Sequence, residues 1–254
     1  MILVICPVYN EQNNILPFVS RILRYVNSRV NFLFMEDNSE DLTRKICRYI
    51  SENLPFSLRN KIFFVFNEGN LGYGENLLKG FSFALERSYE VILTIDCDFQ
   101  HLPSYLPLFF SLSKKYDFVT GTRYSYNSAL LSERNFYRYM INRKLVSFLK
   151  SLYGISVSDF FCGFRSYRKR LLENIFDNLM KFKGLTNINF SYDLPIYLWV
   201  EILNFTLNIK EIPIPFIFFE DRIFKGFGSE VLRSHYDRLK IYIDSFVKYY
   251  SMRR

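Results

Sequence analysis

Four short apolar runs alternate with three segments of helical periodicity over the first 95 residues of this 254-residue chain. Each run is bounded by turn-forming residues, which is typical of buried strands. Buried strands separated by helices favour a mainly parallel sheet that helices cover on both faces. We therefore predict an α/β fold that opens as βαβαβαβ, with strands at Ile2 to Cys6, Phe32 to Met35, Ile62 to Phe66 and Val91 to Ile95 and helices at 14–27, from near Leu42, and at about 75–87. Pro7 is expected to end the first strand.

Polar clusters follow three of these strands, at Pro7 to Glu11, Glu36 to Asn38 and Asp96 to Asp98. In open α/β sheets, ligands bind outside the carboxyl ends of the strands. We expect the first two clusters to hold a base and a ribose and the third to hold a metal and a diphosphate. The sequence thus predicts a nucleotide site without a glycine-lysine phosphate loop.

The third cluster contains two carboxylates, Asp96 and Asp98, at the point where a strand leaves the core. Hard divalent ions such as Mg²⁺ or Mn²⁺ take a few carboxylate oxygens together with substrate phosphates. The alternative is that the two acids only cap a turn. An isolated Asp-x-Asp does not decide between these interpretations.

Positive charge is concentrated in the middle of the chain. Of a formal net charge of +8, the segment from Lys114 to Lys183 contributes 14 Lys and Arg against 5 Asp and Glu. Such a run is often only a solvated face, but it also attracts nucleic acid, anionic lipid or a phosphorylated substrate.

Membrane spans, disulfides and zinc sites are not expected. No apolar stretch approaches the roughly 18 residues of a membrane span, and the start of the chain lacks the features of a signal peptide. The cysteines are scattered, which argues against a zinc site or a disulfide framework and favours a reducing, cytoplasmic compartment. They are Cys6, Cys47, Cys97 and Cys162.

Six motifs follow one another along the chain in a specific order. They are Pro7-Val8-Tyr9-Asn10-Glu11, 36–43 (EDNSEDLT), 70–74 (NLGYG), 96–103 (DCDFQHLP), 121–124 (GTRY) and 158–165 (SDFFCGFR). Together they resemble the motifs of family 2 glycosyltransferases, which have a GT-A fold, and in particular those of dolichyl-phosphate mannosyltransferases and related polyprenyl-phosphate glycosyltransferases. The resemblance covers residues 4 to about 222.

The resemblance implies roles for residues on the donor side. Asp96, Asp98 and Gln100 match the metal and diphosphate motif, with Asp98 as the principal ligand of Mg²⁺ or Mn²⁺. Asp37 matches the acid that contacts the nucleoside. Pro7, Tyr9 and Glu11 match residues that line the base, although Glu11 is also explained as an acid at a helix N-terminus. His101 is expected to orient the turn after Gln100 and not to act as a base.

Basic residues are implied around the phosphates. Arg123 and Arg138 match residues near the donor and acceptor phosphates, and Arg222 matches an arginine of a segment that closes over the diphosphate. The family's usual serine-lysine pair after that arginine is missing, so either Lys225 replaces the lysine or the loop works differently. Asn142 stands where related sequences often have a serine.

The acceptor is predicted from its chemistry. A sugar hydroxyl needs a general base, whereas a phosphate monoester, whose second pKa is about 6, is already a nucleophile near neutral pH. In sugar-acceptor relatives a Glu-Asp pair usually supplies that base, and residues 158–165 contain no such pair. We therefore predict transfer of a hexose from a nucleoside diphosphate sugar to a polyprenyl phosphate. Two alternatives remain: transfer to a hydroxyl of a polysaccharide, and a catalytically silent protein that binds a nucleotide sugar. The resemblance alone favours mannose over other hexoses, including those of UDP-sugars.

Two segments are expected: a catalytic domain at 1–228 and an amphipathic helix at 229–254. Such a helix with a basic polar face can lie on anionic lipid, or it can close the core of its own domain. A separate membrane-anchored partner is the third route to a lipid acceptor. We expect a protein at the cytoplasmic face of the membrane, with no nucleic-acid partner.

Overall fold

In the computed structural model, the described residues are 1–124 and 133–215, together with Asp244, Lys248 and Ser251. Of residues 133–138 and 141 only the backbone is described. The strands are β1 (Ile2–Val8), β2 (Val30–Glu36), β3 (Ile62–Phe66), β4 (Val91–Thr94), β5 (Phe118–Thr122), β6 (Arg165–Arg168) and β7 (Ile209–Pro213). The helices are α1 (Ile15–Ile22), α2 (Thr43–Glu52), α3 (Tyr73–Leu85), α4 (Leu106–Leu112), α5 (Glu133–Tyr153), α6 (Lys169–Thr186) and α7 (Leu194–Phe205).

The strands form one sheet in the order β3-β2-β1-β4-β6-β5-β7. The neighbouring pairs β3–β2, β2–β1 and β1–β4 are parallel, and β7 is parallel to β5. Strand β6 is antiparallel to both β4 and β5, between which it lies. The predicted α/β fold with an opening βαβαβαβ unit is therefore confirmed, and the carboxyl ends of β1, β2 and β4 meet at one edge.

The expectation that Pro7 ends the first strand is wrong. Strand β1 continues to Val8. Proline has no N–H to donate, so it is tolerated only where that donor faces no partner strand. The carbonyl of Ile5, on the same side of the strand as Pro7, accepts from Ile95 N on the β4 side, and the pairing with β4 ends there. Pro7 therefore faces the side that β4 has already left, while Val8 O still accepts from Asp37 N on the β2 side.

The first helix is also shorter than predicted. It ends at Ile22 and is followed by a 3₁₀ turn, Leu23–Tyr25, in which Leu23 is exposed. Short 3₁₀ segments are common at helix ends.

Each face of the sheet packs against its own set of helices. One core includes Phe118, Tyr167 and Trp199 and is covered by α3, α5, α6 and α7; the other includes Phe18 and Phe34 and is covered by α1, α2 and α4. All four cysteines are buried free thiols. Among the described residues, no helix has both the length and the apolar character that a membrane crossing requires.

Candidate active site

The polar clusters after β1 and β2 are joined by hydrogen bonds. Asn10 N–H donates to Ser39 Oγ at 3.0 Å, and Glu11 N–H donates to Thr43 Oγ1 at 2.7 Å. Asn10 Oδ1 accepts in turn from Glu40 N at 2.9 Å. The sheet edge thus brings together the two clusters, as predicted from the parallel strands.

Asp37 lies at this edge with its side chain directed at backbone. It is 2 % exposed, and its Oδ1 accepts from Leu71 N at 2.9 Å and from Asn67 Nδ2 at 2.8 Å. Its Oδ2 accepts from Gly72 N at 2.9 Å. Gly72 has φ +80°, a left-handed conformation that glycine adopts without strain. The carboxylate of Asp37 therefore fixes the glycine-containing turn 70–72 beside the predicted nucleoside position.

Asn67 connects this turn to α3, and sequence reasoning missed it. It is 1 % exposed, it donates to both Asp37 Oδ1 and Asn76 Oδ1, and its own Oδ1 accepts from Lys79 Nζ at 2.7 Å. Asn76 donates to Met35 O at 2.9 Å. The sequence does contain a feature that points to Asn67. This residue directly follows the third apolar run, just as the other polar clusters follow the other apolar runs.

Glu36, next to Asp37, contacts residues at and before the start of α2. Its Oε2 pairs with Arg44 at 2.9 Å, its Oε1 accepts from Ser39 N at 2.7 Å, and its side chain is fully buried. Glu36 therefore holds the start of α2, and Asp37 is the acid that remains at the edge.

The two acids after β4 form a tight turn. Asp98 Oδ1 accepts from Gln100 N at 2.9 Å, and Phe99 between them has φ +60°. Burial, the nearby carboxylate of Asp98 and that of Glu11 raise the pKa of Asp96 to about 7, against the opposing effect of Arg123 and Arg165. Crowded carboxylates of this kind disfavour one another's charge, and a cation between them relieves the repulsion.

A divalent cation fits these residues. Within the described part of the chain, no three His, Cys, Asp or Glu side chains are grouped as a complete metal site. Asp96, Asp98 and the amide oxygen of Gln100 offer hard oxygen donors, and Mg²⁺ or Mn²⁺ commonly take one or two carboxylates with substrate phosphates and water as the other ligands. An incomplete protein site next to a predicted diphosphate position is consistent with that pattern.

Arg123, after β5, is held by Asp159. Its Nε and Nη2 donate to the two carboxylate oxygens at 2.7 and 2.8 Å, and its backbone N–H donates to Oδ2 at 3.0 Å. Burial by itself would raise the pKa of Asp159, but the guanidinium of Arg123 outweighs this effect and holds that pKa below its usual range. The pair is fork-shaped, with Asp159 fully buried and the Arg123 side chain 12 % exposed.

Arg165 is a second buried cation near Asp96, and we assigned it no role from the sequence. It is 3 % exposed, its Nη2 donates to Phe160 O at 2.5 Å, and its charge lowers the pKa of Asp96. The sequence feature that could have pointed to Arg165 is its place at the end of the last motif. That place alone does not indicate which acidic residue Arg165 lies near.

His101 and Asn142 are structural neighbours of the site. His101 is 2 % exposed, and burial, with Arg123 nearby, lowers its pKa to about 3, so its imidazole is a weak base. Asn142 is 1 % exposed, donates to Ser158 O at 2.5 Å and accepts from Phe160 N at 2.8 Å. Asn142 thus supports the loop that contains Asp159.

Of the other predicted site residues, three lie at or just after the end of β1 and three have side chains outside the described part of the structure. Tyr9 is 38 % exposed, and Pro7 and Glu11 are half-buried, with Glu11 accepting from Asn14 Nδ2 at 2.8 Å. Residue Arg138 lies in α5, but its side chain is not among those described. Arg222 and Lys225, and most of the predicted helix at 229–254, lie outside the described residues.

Curated relatives cover most of this chain. It is 27 % identical over 232 residues to the polyprenol monophosphomannose synthase of Mycolicibacterium smegmatis, a match that spans 90 % of this chain and 82 % of the relative. It is 26 % identical over 221 residues to the undecaprenyl-phosphate mannosyltransferase of Micrococcus luteus, across 85 % of this chain and 83 % of that protein.

Solved structures match the fold. The glucosyl-3-phosphoglycerate synthase of Mycobacterium tuberculosis, in complex with Mn²⁺, UDP-glucose and phosphoglyceric acid, superposes with a TM-score of 0.66 at 16 % identity, over 98 % of this chain and 79 % of that one. Its complex with UDP gives a TM-score of 0.65 at the same identity, over 98 % and 79 % of the two chains. The fold is thus the GT-A fold. Residues 3–176 match the family model for glycosyl transferase family 2, and the chain belongs to that family.

Proposed function

We propose that this chain transfers a hexose, with mannose favoured, from a nucleoside diphosphate sugar to the phosphate of a polyprenyl phosphate. The observation that supports this acceptor most directly is the state of Asp159, whose two oxygens are both bound by Arg123 and whose pKa is lowered. A carboxylate in that state is a poor general base. An acceptor that arrives already ionised needs no base, and a phosphate monoester is such an acceptor.

Two relatives support the same acceptor and sugar. Their names describe a polyprenol monophosphomannose synthase and an undecaprenyl-phosphate mannosyltransferase. Each match covers more than four fifths of both chains' lengths. GDP-mannose is the donor that we would test first, and UDP-sugars follow because the solved neighbours bind UDP.

In the proposed reaction, the residues after β1 and β2 hold the nucleoside. Asp37 fixes the 70–72 turn beside it, and Pro7, Tyr9 and Glu11 line the base. Mg²⁺ or Mn²⁺, when bound by Asp96, Asp98 and Gln100, supplies positive charge for the leaving diphosphate. The chain's own side chains provide the remaining binding and orientation.

The acceptor phosphate is brought beside the anionic donor by cationic side chains. Arg123 presents a guanidinium that Asp159 orients, and we assign Arg138 to the lipid phosphate and Arg222, with Lys225, to closure over the diphosphate. An oxygen of the acceptor phosphate forms a bond to the anomeric carbon as the bond from that carbon to the diphosphate oxygen breaks. No proton has to move, and a single in-line displacement inverts the anomeric centre, so an α-linked donor gives a β-linked product.

A lipid acceptor also requires a membrane surface. We propose peripheral contact at the cytoplasmic face, through the segment 229–254 or through a membrane-anchored partner. The apolar residues of the segment 229–254 are spaced as on one face of a helix, and its basic residues outnumber its acidic ones.

The test is transfer of labelled sugar from a panel of GDP- and UDP-sugars, with Mg²⁺ or Mn²⁺, to a short polyprenyl phosphate or to free oligosaccharides. We expect label in the lipid from GDP-mannose and none with Asp98→Ala. Label only in the oligosaccharide would replace this proposal with transfer to a sugar hydroxyl. Donor binding without transfer to either acceptor would favour a silent nucleotide-sugar scaffold.

A further inference from the structure

Glu211, in β7, contacts the turn that contains Asp159. Its Oε1 accepts from the backbone N–H groups of Ser158 and Asp159 at 2.8 and 3.0 Å. Its Oε2 accepts from Ser158 Oγ at 2.8 Å and from Ser158 N at 3.0 Å. Since β7 lies beside β5 with Glu211 opposite Thr120, the carboxylate is fixed relative to the strand that leads to Arg123.

Glu211 is half-buried, and hydrogen bonds compensate its charge. Among the described residues it forms no ion pair, and its hydrogen-bond partners are N–H and O–H groups of two consecutive residues. Buried carboxylates usually pair with a cation, because removing the charge from water is costly. Here N–H and O–H groups of Ser158 and Asp159 take the place of a cation, so the carboxylate fixes the position of the turn that these two residues form.

Asp159 passes this constraint to Arg123. The backbone N–H of Asp159 donates to Glu211, and the carboxylate of Asp159 accepts from Arg123 Nε and Nη2 at 2.7 and 2.8 Å. Arginine has five N–H donors in one plane, and the fork to Asp159 uses two of them. The other three lie on the remaining edges of the planar group, so the position of Asp159 decides where they point.

We propose that Glu211 is a positioning residue that, through Ser158 and Asp159, sets the direction in which Arg123 presents its guanidinium to the acceptor phosphate. This inference rests on the proposed function for the identity of the acceptor. Glu211 itself does not touch substrate in this arrangement.

The kinetic test compares Glu211→Gln with wild type. Glutamine keeps the size and one carbonyl oxygen, but its amide N–H₂ replaces one of the two oxygens that accept from Ser158 N–H, so a hydrogen bond and the charge are lost and the turn is held less firmly. We expect KM for a short polyprenyl phosphate to rise about tenfold or more, with KM for the donor within about twofold of wild type, because misplacement of a binding group by a fraction of an ångström has effects of this size. Glu211→Asp keeps the charge, and we expect it to restore part of the loss.

Glu201→Gln is the matched control. Glu201 is a buried glutamate in α7 whose Oε2 accepts from Asn178 Nδ2 at 2.7 Å, away from the turn at Ser158 and Asp159. Its replacement removes the same charge from the interior, so a general loss of stability would affect both variants. An equal rise of acceptor and donor KM in Glu211→Gln, or the same kinetic change in Glu201→Gln, would overturn the inference.

A second measurement does not depend on the acceptor. The Nε–H of Arg123, assigned with Arg123→Lys, is expected to give a slowly exchanging ¹⁵N-bound proton in wild type because it donates to buried Asp159. Its exchange should accelerate in Glu211→Gln and not in Glu201→Gln; unchanged exchange would overturn the inference. If wild type does not use polyprenyl phosphate, the proposed function fails, while this exchange measurement still decides whether Glu211 positions Arg123.

Discussion

The backbone of Gly163 lies against the carboxylate of Asp96. A Cβ on residue 163 would be 2.3 Å from Asp96 Oδ2 and 3.1 Å from Asp96 Cγ. Thr94 Oγ1 donates to Gly163 O at 2.7 Å and so fixes the two segments together. The chain that enters β6 therefore forms one wall of the predicted metal site, and only glycine leaves room for the acid.

Gly163→Ala should weaken metal binding. The added methyl group has to displace Asp96, since the three atoms nearest to a Cβ at this position all belong to the Asp96 carboxylate group. We expect about a tenfold or greater loss of Mn²⁺ affinity in the presence of nucleoside diphosphate, the usual size of effect when the support of a metal ligand is disturbed. Calorimetric titration with Mn²⁺ measures this directly. Gly184→Ala is the control, because nothing lies within 4 Å of a Cβ at that helical position. Wild-type Mn²⁺ affinity in Gly163→Ala would show that Asp96 is not a ligand.

Asp98→Asn should remove metal-dependent turnover and leave the fold intact. Asparagine can still accept the Gln100 N–H through its carbonyl oxygen, so the turn is preserved while the charge is lost. We expect the transfer rate to fall by at least about a hundredfold, as for removal of one group that stabilises developing charge. Turnover assays across a Mn²⁺ series, with thermal unfolding as the check on folding, measure both effects. Retained metal-dependent activity would contradict the assignment of Asp98.

Asp159→Asn should destabilise the protein in a pH-dependent way. Because the folded-state pKa of Asp159 is lowered, its ion pair contributes stability above the ordinary aspartate pKa of about 4, and this contribution is lost as pH falls through the folded-state pKa. We expect the variant to be less stable by about 3 kcal/mol at pH 7, the lower end for breaking a buried pair. The difference should shrink below about pH 4.

Urea unfolding at several pH values, in the range where wild type stays folded, measures this difference. A stability gap that stays constant from pH 7 to below pH 4 would mean that Asp159 is not ionised in the folded protein. In that case Arg123 would lack the fixed partner that the proposed acceptor site requires.

Asp37→Asn should loosen the turn at 70–72. Three donors reach the two oxygens of Asp37, and an amide N–H₂ in place of one oxygen would face the N–H of either Leu71 or Gly72. We expect a loss of about 1–3 kcal/mol in the free energy of unfolding, the usual cost of an unsatisfied buried donor, together with weaker binding of the nucleoside diphosphate. Urea unfolding and calorimetry measure the two effects. Glu68→Gln removes an exposed charge next to the same loop and should change neither; full stability in Asp37→Asn would show that these hydrogen bonds contribute nothing.

The opening half of the fold and the sheet edge at which the polar clusters meet were predictable from the sequence. The apolar runs and helical periodicities of residues 2–95 predict parallel strands, and parallel strands place their polar ends at one edge. Asp37, Asp96 and Asp98 could be assigned to that edge because each lies shortly after the end of a strand. The strand bounds were less well predicted. Pro7 can remain in β1 because the pairing of β1 with β4 ends at Ile5, before Pro7 would need to donate an N–H to β4.

Tertiary structure alone decided which residues surround these acids. Gly163 and Thr94 are 69 residues apart, and Ser158 and Glu211 are 53 apart, yet each pair is in hydrogen-bond contact. They meet because β6 inserts antiparallel between β4 and β5, and β7 adds beside β5, an order that periodicity does not encode. The sequence by itself determined the strand-end acids, because local patterns set strand ends; the partners of Arg123 and Asp96 were decided by the order of strands, because contacts across a sheet join segments that are distant along the chain.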